Sequence, residues 1–296
     1  MRETFTAMLP VAGGGATFYQ ATGPFATEII QRIANIAGFK SVDSMPDDAF
    51  GCRFTEIQRE EAEKYISSPD PEVITYPENY LTVHLNPKKK IIDVYLVKGR
   101  YLNEQKTGFL MRCLYYLGVL PLLIHANTVC VHGILAELNG KGAIISGPSG
   151  IGKSTAARRL PPPWKIHSDD CLLLTDTGNG IFAQPVPTWS IYFANTDKPR
   201  TFDGTKTVKI EGLFMLDRDK NAVEPLDKMQ AIVGFTKSIG DMTKLELGRM
   251  PDNIRKELFL KALSLGTSAV RKIPAYHLFA TIDGDFWTPM RQVFES

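Results

Sequence analysis

The run Gly147-Pro148-Ser149-Gly150-Ile151-Gly152-Lys153-Ser154-Thr155 constrains this chain more than any other feature. It fits G-x-x-x-x-G-K-[ST], a loop that belongs between an apolar strand and a helix. Both neighbours are legible. Gly142 to Ser146 reads as a short buried strand, and Ser154 to Leu160 as a short helix stopped by Pro161-Pro162-Pro163. Glycines let such a backbone curl until successive N–H groups point at one anion. Lys153 can then reach the β- and γ-phosphates, and the Ser154 hydroxyl is a ligand for magnesium. The positive end of the following helix faces the same anion. Gly147, Ser149, Gly150, Ile151, Gly152, Lys153, Ser154 and Thr155 are therefore the expected binding residues for a nucleotide or a related phosphate compound.

Two further groups could share that site. Asp169-Asp170 follows Trp164-Lys165-Ile166-His167-Ser168 and precedes the apolar run Cys171-Leu172-Leu173-Leu174. Beside a phosphate loop, paired carboxylates can divide labour, one holding magnesium and the other taking the proton of an attacking hydroxyl. The plainer alternative is a pair of aspartates at a structural turn. Upstream, Thr128 to Leu138 is rich in strand formers, and Asn139-Gly140 is a hairpin signal leading into Gly142 to Ser146. That hairpin would fold Val131-His132-Gly133 toward the loop. A lone histidine on a strand is more often a core residue.

Length and composition set the frame. At 296 residues the chain has room for two domains, and 44% hydrophobic residues exclude a disordered or fibrous protein. Residues 1–125 read as a small α+β domain, with a helix over Thr27 to Ala37 and a helix over Thr107 to Leu117. Strands over Asn79 to Leu85 and Ile91 to Val97 are joined by Asn86-Pro87-Lys88-Lys89-Lys90, whose lysines read as a solvated turn rather than an anion site. Ser67 to Glu72 reads as a loop. Residues 126–296 form the expected phosphate-binding domain, completed by a strand at Val208 to Leu216, helices at Leu226 to Ser238 and Pro251 to Val270, and a strand at Tyr276 to Ile282. The 34 basic residues against 32 acidic ones leave a charge of +2, which gives no bulk attraction to nucleic acid or a membrane. Cys52, Cys113, Cys130 and Cys171 are scattered without metal or redox spacing and read as thiols in a reducing cytosol. The apolar run Cys113 to Ile124 contains Pro121 and is shorter than the roughly 20 residues that span a bilayer. With no sustained apolar stretch after Arg2-Glu3, a secretory signal is not expected. The protein is expected to be soluble and cytoplasmic.

Taken together, Val131-His132-Gly133, the Asn139-Gly140 turn, Gly147 to Ser154 and Ser168-Asp169-Asp170 resemble the HPr serine kinase/phosphorylase family and its relatives. The finer resemblance is to the HPr-kinase-related proteins of peptide-modification cassettes of the SynChlorMet type. It is carried by Gly152-Lys153-Ser154-Thr155, Arg158-Arg159-Leu160-Pro161, Pro163-Trp164 and Ser168-Asp169-Asp170, with Pro187-Thr188-Trp189-Ser190 and Phe286-Trp287. The resemblance implies an α/β fold, with an HPr kinase/phosphoenolpyruvate carboxykinase-like P-loop domain after the small α+β domain. It implies Asp169 as the base on a serine hydroxyl, His132 as its auxiliary, Asp170 and Ser154 at magnesium, and Lys153 on the nucleotide phosphates. HPr kinases usually have an acidic residue where Pro148 stands and glutamate where Thr155 stands. Lys209-Ile210-Glu211-Gly212 is out of register with their E-I-R-G segment, so no role passes to Glu211. The region associated with HPr docking is not recognisable, which argues against HPr itself as the acceptor.

The expected activity is transfer of the γ-phosphoryl group of ATP, with Mg2+, to a Ser/Thr hydroxyl of a protein or precursor peptide. A small-molecule hydroxyl kinase and a non-catalytic nucleotide-binding switch are the alternatives. The loop alone would hold GTP or pyrophosphate as readily as ATP. The first domain is the candidate holder of the acceptor. Nucleic acid and membrane are not expected partners, and the resemblance leaves room for a homo-oligomer. Arg158 and Arg159 read as helix-end packing more readily than as contacts to phosphate or acceptor. Trp189 could line an acceptor groove or anchor a domain contact.

Overall fold

The computed structural model describes residues 4–66, 73–75, 81–86, 88–99, 104–187, 203–247 and 250–295. The chain divides into two compact units. Most of the first lies before Ala126, and most of the second follows from Asn127.

The first unit is a seven-stranded mixed sheet. Its strands are β1 (Thr4–Val11), β2 (Gly15–Thr22), β3 (Lys40–Val42), β4 (Phe50–Ile57), β5 (Val73–Thr75), β6 (Leu81–His84) and β7 (Ile91–Val97), in the spatial order β3-β1-β2-β4-β7-β6-β5. Helix α1 (Pro24–Ala37) carries Ile29, Ile30, Ile33 and Ile36 on one buried face and ends at Gly38, whose left-handed backbone closes the last turn onto the Ala34 carbonyl. A short helix α2 (Ala62–Ile66) follows β4. Helix α3 (Glu104–His125) lies against β2, β4 and β7. It is far longer than the expected Thr107 to Leu117 and runs straight through Pro121. The proline removes one backbone N–H, but the helix buries Leu114, Tyr115, Leu120, Leu122 and Leu123, and that burial outweighs the local loss. From Thr107 to His125 this helix is long and apolar enough to cross a membrane, yet 72% of its apolar window is buried inside the protein, the pattern of a core helix. Gly118 is required at its contact with the sheet, because a Cβ there would stand 2.0 Å from the Tyr19 ring.

The second unit is an eight-stranded sheet of β8 (Thr128–Leu138), β9 (Lys141–Ser146), β10 (Lys165–Ser168), β11 (Cys171–Asp176), β12 (Ile181–Val186), β13 (Val208–Asp217), β14 (Ala222–Pro225) and β15 (Ala275–Phe279). The hairpin expected at Asn139-Gly140 is present. Both residues have positive φ, 50° and 85°, and Leu138 pairs with Lys141 across the turn. β8 is long enough to pair with β11 through its first half and with β9 through its second. β9 continues to β13 in parallel, so β8, β11, β12, β13 and β9 form a closed circuit.

Both faces of this sheet are covered. On one side α5 (Lys228–Leu247) and α6 (Asp252–Lys272) pack Phe235, Ile239, Leu265 and Ala269 onto Val131, Ile144 and Leu213. On the other, α4 (Lys153–Arg159) and α7 (Trp287–Glu295) pack Ala156, Met290 and Phe294 onto Ile134, Ile145 and Phe214. Two covered faces explain why Gly142 to Ser146 is apolar at nearly every position rather than at every second one.

Candidate active site

Strand β9 delivers the chain into the Gly147–Thr155 loop, and α4 begins at Lys153. The curl depends on glycine: Gly147, Gly150 and Gly152 have φ of 154°, 77° and 112°, and a Cβ at Gly147 would also press on the Leu216 carbonyl at 3.0 Å. The Lys153 ammonium lies inside the loop, donating to the carbonyls of Gly147 at 2.8 Å and Pro148 at 3.1 Å. From outside, the Arg218 guanidinium donates to the carbonyls of Gly150 and Ile151, at 2.6 and 3.1 Å. Arg218 stands just beyond β13, whose parallel pairing with β9 sets it level with the loop.

Strand register brings the other residues to the same edge. Gly133 pairs with Ser146, the last residue before the loop, and His132 pairs with Cys171 on β11. Asp169 and Asp170 therefore lie where β11 begins, beside His132, and the Asp170 carbonyl accepts the Gly133 N–H at 3.0 Å. His132 Nε2 lies 3.4 Å from Asp170 Oδ1. The histidine thus lies within reach of Asp170, the neighbour of the aspartate it was expected to support. The Cys171–His132 pairing sets both aspartates just before the start of β11, next to this histidine.

The charges do not fully compensate one another. Burial lowers the Lys153 pKa, opposed by Asp170 and Asp241. Burial and then Lys153 lower the His132 pKa against the pull of the same two aspartates, which favours neutral imidazole. Burial and then Asp170 raise the Asp169 pKa, with its own backbone hydrogen bond and Arg158 acting the other way. A partly buried carboxylate of raised pKa has the character of a proton acceptor. Ser154 is exposed on the first turn of α4, and the Asp170 side chain is 56% exposed. Both offer hard oxygen donors of the kind magnesium takes. Among the described residues no cluster of three or more His, Cys, Asp or Glu forms a cage.

Two residues near the loop were not anticipated. Asp241 lies one turn beyond Ser238, whose hydroxyl meets Ser146 at 2.5 Å and so fixes α5 against the end of β9. Neither Asp241 nor Arg218 belongs to a local motif; only the packing of α5 and the register of β13 place them. Glu211 pairs with Lys209 at 2.7 Å near the start of β13, at the opposite end from the loop, so withholding a role from it agrees with its position. Arg159 packs as expected of a helix-end residue, donating to the Thr281 and Gly284 carbonyls and lying over the Phe286 and Trp287 rings. Pro187 ends the segment after β12, while Thr188, Trp189 and Ser190 lie outside the described residues, as does the Ser67 to Glu72 loop.

The family model for the SynChlorMet cassette protein ScmC matches residues 104–295. That match takes in α3 and all of the phosphate-loop unit. The chain belongs to the ScmC family. It is also similar to the HPr kinase/phosphorylase of Thermoanaerobacter sp. (strain X514), 31% identical over 152 residues, covering 50% of this chain and 44% of that protein. Similarity to the HPr kinase/phosphorylase of Caldanaerobacter subterraneus subsp. tengcongensis is likewise 31%, over 167 residues, 55% of this chain and 48% of the relative. The chain thus spans under half the length of these relatives. Among solved structures, the Hpr(Ser) kinase/phosphatase from Coxiella burnetii aligns with a TM-score of 0.31 and 11% identity, over 56% of this chain and 92% of that one. The α/β fold class expected from the sequence holds, and the chain is similar over about half its length to HPr kinase/phosphorylases.

Proposed function

We propose that this chain is an ATP- and Mg2+-dependent phosphotransferase that moves the γ-phosphoryl group to a Ser/Thr hydroxyl of a protein or precursor peptide. One observation carries the reading. The register of β8, β9 and β11 sets Asp169, Asp170 and His132 at the strand edge from which the Lys153 loop springs. Simple retention of a nucleotide needs no partly buried, proton-accepting carboxylate, whereas transfer to a hydroxyl is served by one.

In this reading Lys153 exchanges its two loop carbonyls for β- and γ-phosphate oxygens and holds the transferred group in place. Asp169 accepts the hydroxyl proton as the oxygen attacks. His132, kept neutral, orients the Asp170 carboxylate. Ser154 and Asp170 would hold magnesium, which when bound offsets the charge spread over the phosphate oxygens. The functional division is residues 1–125 for acceptor recognition and 126–296 for nucleotide and chemistry. A cytosolic location agrees with four cysteines that are not joined in disulfides.

The test is transfer of γ-label from Mg-ATP into a source-cell lysate supplemented with peptides encoded nearby, comparing wild type with Asp169→Asn. Label in a protein or peptide, absent with the variant, supports the reading. Label only in small molecules would move the acceptor class to metabolites. ATP binding with no labelled product of any size would make the protein a nucleotide-binding switch.

A further inference from the structure

Lys153, Arg159 and Arg218, in the phosphate loop and around it, are each held by two backbone carbonyls. Lys153 takes those of Gly147 and Pro148, Arg218 those of Gly150 and Ile151, and Arg159 those of Thr281 and Gly284. Arg158 is not held in this way. It is exposed, and it makes no hydrogen bond or ion pair with any described residue. The sequence presents Arg158-Arg159 as a pair expected to pack at a helix end, yet only Arg159 does so. Helical phase is the reason. α4 turns Lys153, Ala156 and Ala157 inward, so Ser154 and Arg158, four residues apart, share its outer face. Arg159, one position on, turns to the Phe286 and Trp287 rings.

Packing fixes where this free cation stands. Ala157 and Leu160 share one apolar core with Trp164 and Ile166, so the chain from α4 through β10 to Asp169 is held as a unit. The Arg158 charge is felt at the Asp169 carboxyl, where it acts against burial. A cavity of about 520 Å³ opens off the loop beside β13 and β15, and Arg159 and Arg218 line it, whereas Arg158 and the acid pair lie outside its lining. At about 1.5 Å of rise per residue, Arg158 stands roughly 6 Å along the helix from Ser154. It is thus set back from the loop end where phosphate would lie, and close to the carboxyl that would meet the acceptor hydroxyl. In that mechanism magnesium offsets Asp170, and Lys153 turns to phosphate oxygens. Arg158 has a counterion in neither the protein nor the donor, and the component that remains is the acceptor. A guanidinium offers a planar fork that takes a carboxylate through parallel hydrogen bonds and repels a lysine or arginine.

We propose that Arg158 selects the acceptor by taking an acidic side chain close in sequence to the hydroxyl that receives the phosphoryl group. The inference rests on transfer to a peptide hydroxyl, as set out above. Two pools of synthetic peptides test it, each built around a central serine. Neighbouring positions are drawn from Asp, Glu, Ala and Gly in one pool, and from Lys, Arg, Ala and Gly in the other. Transfer of γ-label from Mg-ATP gives the ratio of kcat/KM for the acidic pool to that for the basic pool. The strength of Asp169 as a base is common to both pools and cancels in that ratio. Wild type should favour the acidic pool by about fivefold or more. Arg158→Gln should bring the ratio close to one and Arg158→Glu should reverse it, both with unchanged calorimetric affinity for Mg-ATP. Arg159→Lys should keep the wild-type ratio. A wild-type ratio at or below one would overturn the selection while phosphotransfer stands. Equal loss of transfer to both pools in Arg158→Gln, at an unchanged ratio, would overturn it too and place the cation on the transferred phosphoryl group. Bound ATP with no peptide of either pool labelled would remove the peptide acceptor, and this role with it.

Discussion

Strand β8 carries His132 near its middle and Glu137 near its end, and each belongs to a cluster of one histidine, acidic side chains and one lysine. The two are roughly 16 Å apart along the strand. At the far end, Glu137 is nearly buried, accepts from His167 at 2.9 Å and pairs with Lys206 at 3.2 Å. Burial pushes its pKa up, but His167 and Lys206 outweigh burial and hold it below the ordinary range. At the loop end, the same residue types remain uncompensated. His132 stands 3.4 Å from a half-exposed Asp170, Lys153 donates to carbonyls instead of a carboxylate, and the Asp169 pKa is raised. Composition does not distinguish these clusters. Satisfaction does: a charge with close partners stabilises the fold, and one held without them is available for chemistry.

Substitutions can break this contrast. The largest expected effect is on transfer. Asp169→Asn should lower the turnover number by about 10²–10⁴-fold with little change in nucleotide Kd, and turnover at the wild-type rate would remove Asp169 as the base. Glu137→Gln should do the reverse, lowering unfolding free energy by about 1–3 kcal/mol in denaturant titration while nucleotide affinity holds. Loss of binding without loss of stability would mean that the far cluster is also functional. Arg159→Lys tests a third arrangement, a cation satisfied by carbonyls and rings. It should cost about 1–2 kcal/mol of stability without altering the chemical step.

The smallest effects concern pH, and they carry opposite signs. The depressed Glu137 contributes stability that is present above its unfolded pKa and is lost as pH falls through its folded one. Ionised Asp169, with a raised pKa, opposes folding above that value, and the penalty is relieved as pH falls through it. Asp169→Asn should therefore stabilise the protein at neutral pH, by about 0.5–1 kcal/mol, even as it abolishes transfer. In the rate profile of wild type, the acid limb should lie above the ordinary aspartate range, because Asp169 must be ionised to accept a proton. An acid limb at the ordinary position would contradict the burial of that carboxylate.

Much of the loop unit was legible because its signals are local. The Gly147 to Thr155 run, the Asn139-Gly140 turn and the apolar runs around them depend on residues adjacent in the chain, and β8, the hairpin and the loop lie where those signals put them. Helix ends were less legible. α3 extends through Pro121, because burial against a sheet overrides a local breaker, and α5 runs on to Leu247. Asp241 and Arg218 were not legible at all, since each reaches the loop from an element distant in sequence.

The sequence by itself determined that a curled glycine-rich loop forms here, since glycines at fixed spacing before Lys153 favour that backbone. It also raised the expectation that Asp169, Asp170 and His132 accompany that loop, through the resemblance carried by the order of their motifs. Only the tertiary structure decided which aspartate His132 meets, which lysine and histidine are compensated, and where the cavity beside the loop opens. Those outcomes follow from strand register and burial. A shift of one residue in the pairing of β8 with β11 would exchange the faces on which these side chains lie, and no short stretch of sequence records that choice.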